Sequence, residues 1–291
     1  MATWLYNTLF GAAPQTITVG NPSSSVPLLS DTDTRRSEKP SPGSSSVDKR
    51  ASMRPRPPLS LPALDIIRGK RVILASASPR RAQLLSLLSL NPEIIPSSFA
   101  EDLDKGTYTP WEYVLETATQ KCMDVYKTQI ELTNNGVEEP VLVIAADTVI
   151  CLSTGEVLEK PKNEGHHLAM LQTLRDVGPH KVYTAVVCMS PSEGATYPGY
   201  HMQSSVEETT VVFDKMVTDE LLKSYVLTRE GADKAGGYAV QGLGSILIEK
   251  IEGCYDNVVG LPLRTTLRLI EKVLNGDEEM EKEEGEEDVQ L

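Results

Sequence analysis

The apolar run at residues 141–146, Val-Leu-Val-Ile-Ala-Ala, is the feature that most limits how this chain can fold. A run of apolar residues without alternation is typical of a central strand that is covered on both faces. A second run, residues 71–75, predicts another strand. Because helix signals lie between these runs, strands and helices alternate in this part of the chain, which favours an α/β fold.

Local signals place the other elements. Residues 78–79, Ser-Pro, predict a helix start because serine suits the N-cap and proline suits the first helical position. Residues 109–112, Thr-Pro-Trp-Glu, have the pattern of a capping box. Asn163 and Thr218 predict two more helix starts. The remaining predictions are a helix end near Lys127, a hairpin at 153–155, strands at 182–189, 202–213 and 245–251, and a last helix at 262–274. The later strands form antiparallel pairs, so the predicted sheet is mixed.

The composition of the two ends differs from that of the middle. Residues 1–66 are rich in Ser, Pro and Thr and lack a sustained apolar pattern, so we predict that they are disordered. Residues 277–291 are an acidic tail that we predict to stay solvated. The globular domain is therefore predicted to span residues 67–276.

Charge and cysteine content argue against several classes of protein. The net charge is −13, and the middle of the chain is acidic, which argues against a nucleic-acid partner. No apolar run approaches the roughly 20 residues that cross a membrane. The four cysteines and four histidines have no zinc-type spacing. Unpaired thiols are typical of a reducing compartment, so we predict a cytoplasmic protein.

Residues 76–81, Ser-Ala-Ser-Pro-Arg-Arg, are the first candidate site. Here a predicted strand ends, a loop of small residues turns, and a helix begins. Backbone N–H groups and the positive end of the helix dipole face such a loop, which favours an anion. Arg80 and Arg81 add guanidinium groups whose shape matches phosphate oxygens. Two solvated arginines on a surface helix are the alternative explanation.

Other candidates are charged or polar residues at informative positions. Asp147 and Thr148 directly follow the buried run, at the strand end where ligands collect in α/β sheets. A carboxylate there can hold Mg²⁺ or take a proton from water. Lys121 falls on the apolar side of its predicted helix, and Lys160 can reach a phosphate as a point charge. Taken alone, each of these residues is also compatible with a cap or a surface charge, and so is Glu101.

A glycine-rich segment at residues 236–244, Gly-Gly-Tyr-Ala-Val-Gln-Gly-Leu-Gly, is the last candidate. Glycines permit tight turns and let the backbone approach a ligand closely. Gln241 offers both a hydrogen-bond donor and an acceptor, which suits the edge of a base. A flexible loop with a solvent-facing glutamine is the alternative.

Taken together, blocks of residues in this order resemble the Maf family of nucleotide pyrophosphatases. The blocks are Ser76-x-Ser78-Pro79-Arg80-Arg81, Glu101, Lys121, Ala146-Asp147-Thr148, Glu159-Lys160-Pro161, Tyr183-Thr184-Ala185, Gly237-Tyr238 with Gln241-Gly242, and Asn257-Val258-Val259-Gly260-Leu261-Pro262. The resemblance spans about residues 70–274 and leaves out both tails.

The resemblance implies a fold, a reaction and a substrate class. The fold would be the elongated α/β fold of inosine-triphosphate pyrophosphatases, with two lobes around a cleft. The reaction would convert a nucleoside triphosphate and water to the monophosphate and pyrophosphate, with Mg²⁺ or Mn²⁺ as cofactor. Arg80, Thr148 and Gln241 are similar to the branch that acts on dTTP and UTP; the other branch prefers 7-methyl-GTP. A homodimer is a further implication.

The resemblance also implies roles for individual residues. Asp147 would be the general base and, with Glu101, a metal ligand. The phosphate ligands would be Arg80, Arg81, Lys121 and Lys160, with Ser76 and the loop amides completing the cradle; Lys160 and Glu101 would also serve catalysis. Thr148 and Gln241 would sense the base, and Arg80 would share in the choice of substrate.

Two other functions are compatible with the same residues. One is a non-catalytic nucleotide-binding regulator of cell division, since the family has also been linked to that process. A retired enzyme would be expected to have lost at least one residue of a set that is intact here, Asp147, Glu101, Lys121 and Lys160. The other is a phosphatase that releases inorganic phosphate.

Overall fold

The structure is a computed structural model that describes residues 57–100, 103, 107–192 and 199–275. Glu101, most of the predicted N-terminal extension and the acidic tail lie outside the described residues. The helices within the described ranges are α1 (Pro62–Ile67), α2 (Pro79–Leu87), α3 (Pro110–Thr133), α4 (Glu164–Val177), α5 (Asp219–Leu227), α6 (Tyr255–Val259) and α7 (Leu263–Asn275). The strands are β1 (Val72–Leu74), β2 (Glu93–Ile94), β3 (Leu142–Leu152), β4 (Val157–Leu158), β5 (His180–Pro191), β6 (Tyr200–Phe213) and β7 (Ile248–Glu252).

The strands form one seven-stranded mixed sheet. The order is β2-β1-β3-β5-β6-β7, with β4 added beside β3. The β1–β2 and β1–β3 pairs are parallel, and the others are antiparallel. Helices flank this sheet, so the predicted α/β class with a mixed sheet is confirmed.

β3 changes neighbours along one of its edges, and this creates a gap in the sheet. Residues 142–144 pair with β1, and residues 150–151 pair with β4. The opposite edge pairs with β5 along residues 143–152. Residues 145–149 therefore lack a strand partner on the first edge. The prediction that Asp147 and Thr148 follow the strand was wrong, because pairing with β5 and β4 continues β3 to Leu152.

Alternate residues of the central strands are buried on opposite faces. On one face, residues such as Ile144 and Ala146 pack with α1, α2 and α7. On the other face, Val143 and Ala145 pack against α3. A third buried cluster, toward the Leu152 end of β3, includes residues of α4 and α5. Burial on both faces explains why residues 141–146 show no alternation.

Three predicted helix caps are confirmed, those of Thr109, Asn163 and Thr218, and one is corrected. The Thr109 hydroxyl accepts from the Glu112 N–H at 3.3 Å, and the Glu112 carboxylate accepts from the Thr109 N–H at 2.9 Å. Asn163 accepts from the His166 N–H at 2.9 Å. α2 begins where predicted, but the Ser78 side chain makes no cap hydrogen bond. α3 runs past Lys127 because Ile130 is also buried against the sheet.

Two element boundaries differ from their predictions. The strand predicted at 245–251 begins only at Ile248, because residues 243–247 form a 3₁₀ helix. All of α1 except Ile67 lies within the segment that was predicted to be disordered. Ala63 and Leu64 of this helix are buried in the same cluster as α7, so the ordered domain begins before residue 66.

Two truncations test whether α1 is part of the ordered domain. Deleting residues 1–66 removes the buried side chains of Ala63 and Leu64, whereas deleting residues 1–56 leaves α1 in place. Removing one buried leucine side chain typically destabilises a protein by about 2–5 kcal/mol. The longer deletion should lower the free energy of unfolding, measured in urea, by about that amount relative to the shorter one. Equal urea midpoints for the two proteins would show that α1 adds nothing to the core.

Candidate active site

A cavity of about 430 Å³ opens at the gap in the β3 edge. Its walls are the loop between β1 and α2, β3 itself, and residues 233–235, 238–241 and 258–260. These walls include residues of all three buried clusters, so the cavity lies between the two ends of the sheet. Its volume falls in the range of small-molecule sites, about 300–1,000 Å³.

The charge of the cavity is opposite to that of the chain. Five basic and two acidic residues line it. They are Arg80, Arg81, Lys121, Lys160 and Lys234, with Asp147 and Asp233. A cleft lined mainly by one sign of charge concentrates ligands of the opposite sign. In a chain with a net charge of −13, this local excess of positive charge indicates an anion site.

The central pair of the cavity is Asp147 and Lys121. Asp147 lies on the open stretch of β3, and Lys121 reaches it from α3, the helix that covers that face. Lys121 Nζ donates to Asp147 Oδ1 at 2.8 Å, and the two side chains are 12% and 11% exposed. This contact fixes one carboxylate oxygen of Asp147. A water molecule bound in the cavity can then give a proton to the other oxygen.

The loop that follows β1 carries a serine whose hydrogen bonds are directional. Ser76 Oγ accepts from the Ser78 N–H at 3.3 Å and from Arg81 Nη1 at 2.9 Å. A hydroxyl has two acceptor sites and one proton. Because both acceptor sites are used, Ser76 meets a ligand as a donor. A donor at the start of a helix suits a phosphate oxygen.

Arg81 joins three separate segments around the cavity. Its Nη1 donates to Ser76 Oγ at 2.9 Å and to the Ala146 carbonyl at 2.8 Å. Its Nε donates to the Gly260 carbonyl at 2.8 Å, and its Nη2 donates to Thr148 Oγ1 at 3.0 Å. At least four of the five N–H groups of this guanidinium therefore bond to protein atoms. These contacts give Arg81 a structural task that the sequence did not reveal; its role as a phosphate ligand stays a prediction.

A chain of hydrogen bonds continues from Arg81 into the protein interior. Thr148 Oγ1 lies 3.0 Å from Thr184 Oγ1, and Thr184 Oγ1 donates to the Asn257 carbonyl at 3.0 Å. Asn257 Nδ2 in turn donates to Thr209 Oγ1 at 2.9 Å. Thr184, Asn257 and Thr209 are fully or almost fully buried. This chain gives a physical role to two of the sequence blocks, those around Thr184 and Asn257.

Three other predicted residues line the cavity without being engaged. The side chains of Arg80, Lys160 and Gln241 make no hydrogen bond or ion pair with another residue in the described ranges, although Arg80 acts electrostatically on Asp233. Lys160 and Gln241 are exposed, and Arg80 is half-buried. Their side chains therefore need not break a protein contact in order to bind a ligand.

The glycine-rich wall is held from behind by polar side chains. The Gly237 carbonyl lies 2.6 Å from His167 Nε2, and Tyr225 Oη accepts from the Ala239 N–H at 3.1 Å. Glu230 accepts from the N–H groups of Leu243 and Gly244, both at 2.9 Å. Gly237 has a φ of +73°, and a Cβ there would lie 2.6 Å from the His167 ring. Only glycine fits this contact, so the segment is an anchored wall rather than a flexible loop.

A neutral histidine supports the same wall. His180 Nε2 lies 2.8 Å from the hydroxyl of Tyr238, and Phe213 packs edge-on against both rings. Burial lowers the pKa of His180 to about 4, so this imidazole is uncharged near neutral pH. The hydrogen bond between His180 and Tyr238 positions Tyr238 at the cavity, and the neutral imidazole adds no charge there.

The structure adds two residues that the sequence analysis missed, Asp233 and Lys234. Lys234 Nζ donates to Asp233 Oδ1 at 2.6 Å and to the Glu230 carbonyl at 2.5 Å. Lys234 lowers the pKa of the Asp233 carboxyl, and Arg80 adds to this effect. Two adjacent opposite charges just before a glycine-rich segment were the available signal. Their distance from the other blocks in sequence concealed their place on the cavity wall.

Of the nine predicted site residues, the described ranges contain all but Glu101, and those eight line a single cavity. They are Ser76, Arg80, Arg81, Lys121, Asp147, Thr148, Lys160 and Gln241. Within the described ranges, no group of three or more His, Cys, Asp or Glu side chains could hold a metal ion. Mg²⁺, however, is usually bound by one or two carboxylates together with substrate phosphates and water. Asp147 in a cavity with several basic side chains fits that mode of binding.

This fold and cavity define an α/β protein with a basic cleft and a carboxylate–lysine pair at its centre. The chain belongs to the Maf family: the family model described as Maf-like protein matches residues 71–273. The predicted resemblance is therefore confirmed.

Relatives from distant organisms support this membership. A Schizosaccharomyces pombe protein named dTTP/UTP pyrophosphatase is 49% identical over 211 residues, which cover 72% of this chain and 86% of the relative. A dTTP/UTP pyrophosphatase of Clostridium botulinum is 39% identical and is covered completely, by 70% of this chain. A human protein named probable bifunctional dTTP/UTP pyrophosphatase/methyltransferase is 40% identical, over 69% of this chain and 32% of its own length.

A solved structure also matches, with a much lower sequence identity than these relatives have. A nucleoside-triphosphatase/dITP/XTP pyrophosphatase of Mycobacterium abscessus is 14% identical with a TM-score of 0.29, covering 51% of this chain and 76% of that protein. A likeness of this degree carries no argument, so the fold class rests on the sheet itself. Separately, no helix in the described ranges has the length and apolar character that crossing a membrane requires.

Proposed function

We propose that this chain hydrolyses dTTP and UTP to the nucleoside monophosphate and pyrophosphate. The observation that carries the proposal is the Asp147–Lys121 pair inside a cavity lined by four further cations. A triphosphate needs several positive groups for its oxygens, and its hydrolysis needs a base for water. The relatives named dTTP/UTP pyrophosphatase support the choice of these two substrates.

The bond changes in this reaction assign a task to Asp147. A water oxygen bonds to the α phosphorus, and the bond from that phosphorus to the α–β bridging oxygen breaks. Pyrophosphate leaves with the electron pair of the broken bond. Asp147 takes the proton of the attacking water on its second oxygen, while Lys121 holds the first at 2.8 Å.

The remaining residues bind and orient the substrate. Arg80 and Lys160, whose side chains make no hydrogen bond or ion pair with the described residues, are proposed to contact the phosphates, and Ser76 is proposed to donate its proton to a phosphate oxygen. Gln241 and Thr148 are proposed to contact the base. Lys121 and Arg81 keep these groups in place through their contacts with Asp147 and Ser76.

A divalent cation completes the proposed site. Asp147 would hold Mg²⁺ or Mn²⁺ together with substrate phosphates, and Glu101, which lies outside the described residues, is proposed as a second ligand. When bound, such a cation would neutralise part of the negative charge on the phosphates. The protein's part is to hold the Asp147 carboxylate at the cavity through its contact with Lys121.

Incubation with a panel of nucleotides tests the proposal. The purified full chain would be mixed with UTP, dTTP, CTP, ATP and GTP in the presence of Mg²⁺ or Mn²⁺, and the products would be separated by ion-exchange chromatography. UMP and pyrophosphate are expected from UTP. Release of inorganic phosphate and UDP would instead indicate a phosphatase. Binding without turnover would indicate a regulator, and would contradict the proposal.

We further propose a cytoplasmic, homodimeric enzyme. All four cysteines are unpaired, and three of them are buried, which is compatible with a reducing compartment. Cell fractionation would test the compartment, and sedimentation of the purified chain would test the dimer. Sedimentation as a monomer across the micromolar range would contradict the second part.

A further inference from the structure

Thr148 lines the cavity, and its hydroxyl is bonded on two sides. It accepts from Arg81 Nη2 at 3.0 Å, and it lies 3.0 Å from the hydroxyl of Thr184 on β5. Thr148 and Thr184 are directly opposite in the β3–β5 register. Thr184 is fully buried and does not line the cavity. It therefore reaches a ligand only through Thr148.

Only one arrangement of protons satisfies all of these contacts. The carbonyl of Asn257 can only accept, so Thr184 donates its single proton to that carbonyl, at a distance of 3.0 Å. Thr184 must then accept from Thr148, because it has no second proton to give. Arg81 can only donate, so Thr148 accepts from it. The bonds run in one direction, from Arg81 through Thr148 and Thr184 to Asn257.

This direction determines what Thr148 offers to a ligand. Its proton and one of its two acceptor sites are already used, so a ligand that reaches Thr148 Oγ1 meets a lone pair. The imide of uracil or thymine carries an N3–H donor. Cytosine has an unprotonated N3 at the same place in the ring. A lone pair on Thr148 thus favours the imide and repels the lone pair of cytosine.

We propose that Thr184 is a positioning residue that sets the base preference of this cavity by fixing the proton of Thr148. The inference rests on the proposed function, because it concerns which pyrimidine triphosphate is hydrolysed. Thr184 contacts no substrate in this mechanism. Its effect passes through the hydroxyl of Thr148, which Thr184 keeps as an acceptor.

The variant Thr184→Val tests this directly, since valine keeps the shape of threonine but cannot accept a hydrogen bond. The proton of Thr148 is then released to turn toward the cavity and donate to cytosine N3. We expect the ratio of kcat/KM for UTP to that for CTP to fall about tenfold, which corresponds to one hydrogen bond. Thr184→Ser keeps the hydroxyl and should restore the wild-type ratio.

The matched control is Thr266→Val. Thr266 is also fully buried, and its hydroxyl donates to the Pro262 carbonyl at 2.8 Å, outside the chain from Arg81 to Asn257. This control should lose stability without changing the UTP-to-CTP ratio. A purely structural role for Thr184 predicts the same behaviour for Thr184→Val, so an unchanged ratio in that variant overturns the inference.

A substrate analogue keeps the inference testable if Thr184→Val does not fold. In 3-methyl-UTP the N3–H is replaced by a methyl group, so the wild-type enzyme should hydrolyse it at least tenfold less efficiently than UTP. Equal efficiency on the two substrates would overturn the inference while leaving the proposed function intact. Failure of the wild type to hydrolyse UTP at all would instead overturn the proposed function, and the inference with it.

Discussion

The variant Asp147→Asn is expected to lower kcat for UTP by about 10²–10⁴-fold, the range for loss of a general base. Asparagine keeps an oxygen for the hydrogen bond from Lys121, which is 2.8 Å long in the wild type. It replaces the second carboxylate oxygen with an amide nitrogen that cannot take a proton from water. The measurement is steady-state release of pyrophosphate at saturating UTP.

The fold of this variant should be retained, which separates a chemical loss from unfolding. Asp147 pairs with Ala185 along β3 through the backbone, and that pairing does not depend on the carboxylate. Circular dichroism and a thermal melt would check the fold. A folded Asp147→Asn protein that hydrolyses UTP at the wild-type rate would remove Asp147 from the role of base.

The variant Arg81→Lys is expected to reduce both stability and activity, although it preserves the charge. An ammonium on a flexible stem cannot reproduce the planar guanidinium that reaches Ser76, Ala146, Thr148 and Gly260. Hydrogen bonds from a charged group contribute about 1.5–3 kcal/mol each. Because lysine can keep some of them, we expect the free energy of unfolding to fall by about 3 kcal/mol. Displacement of the phosphate loop relative to β3 should lower kcat/KM about 100-fold.

Arg80→Lys is the matched control for this prediction. Arg80 is the preceding residue of the same helical turn, and it makes no hydrogen bond or ion pair with another described residue. Its replacement should change the free energy of unfolding by less than about 0.5 kcal/mol, while raising KM for UTP. Equal urea midpoints for the two variants would show that Arg81 is not the link between the three segments.

The helices that the sequence predicted well are those with side-chain signals at their starts. The pattern of Thr109 and Glu112 was sufficient to predict α3, and Asn163 was sufficient for α4, because such caps form within a few residues of sequence. α1 was missed because it has few residues and its start at Leu61 has no capping side chain. Its order comes from burial against α7, more than 190 positions later in the chain.

The candidate residues were found from the sequence, but the contacts between them were not. The resemblance of several separated blocks to the Maf family selected Arg80, Lys121, Asp147 and Lys160 as members of one site. Sequence spacing carries no information on which pairs touch. Lys121 was expected to bind phosphate, and the structure shows it bonded to Asp147. Asp233 was not selected, because its position on the wall depends on how the glycine-rich segment is anchored.

By itself, the sequence determined the fold class, the family and eight residues that meet in one cavity. Each of these depends on local patterns: apolar runs, caps and motifs that can be read without knowing the partners. Only the tertiary structure decided that Asp147 and Thr148 lie inside β3, on opposite faces, at the gap between β1 and β4. It also decided the task of Arg81, whose acceptors lie up to 179 positions away. The direction of a hydrogen bond depends on every partner of a hydroxyl, and those partners are brought together only by folding.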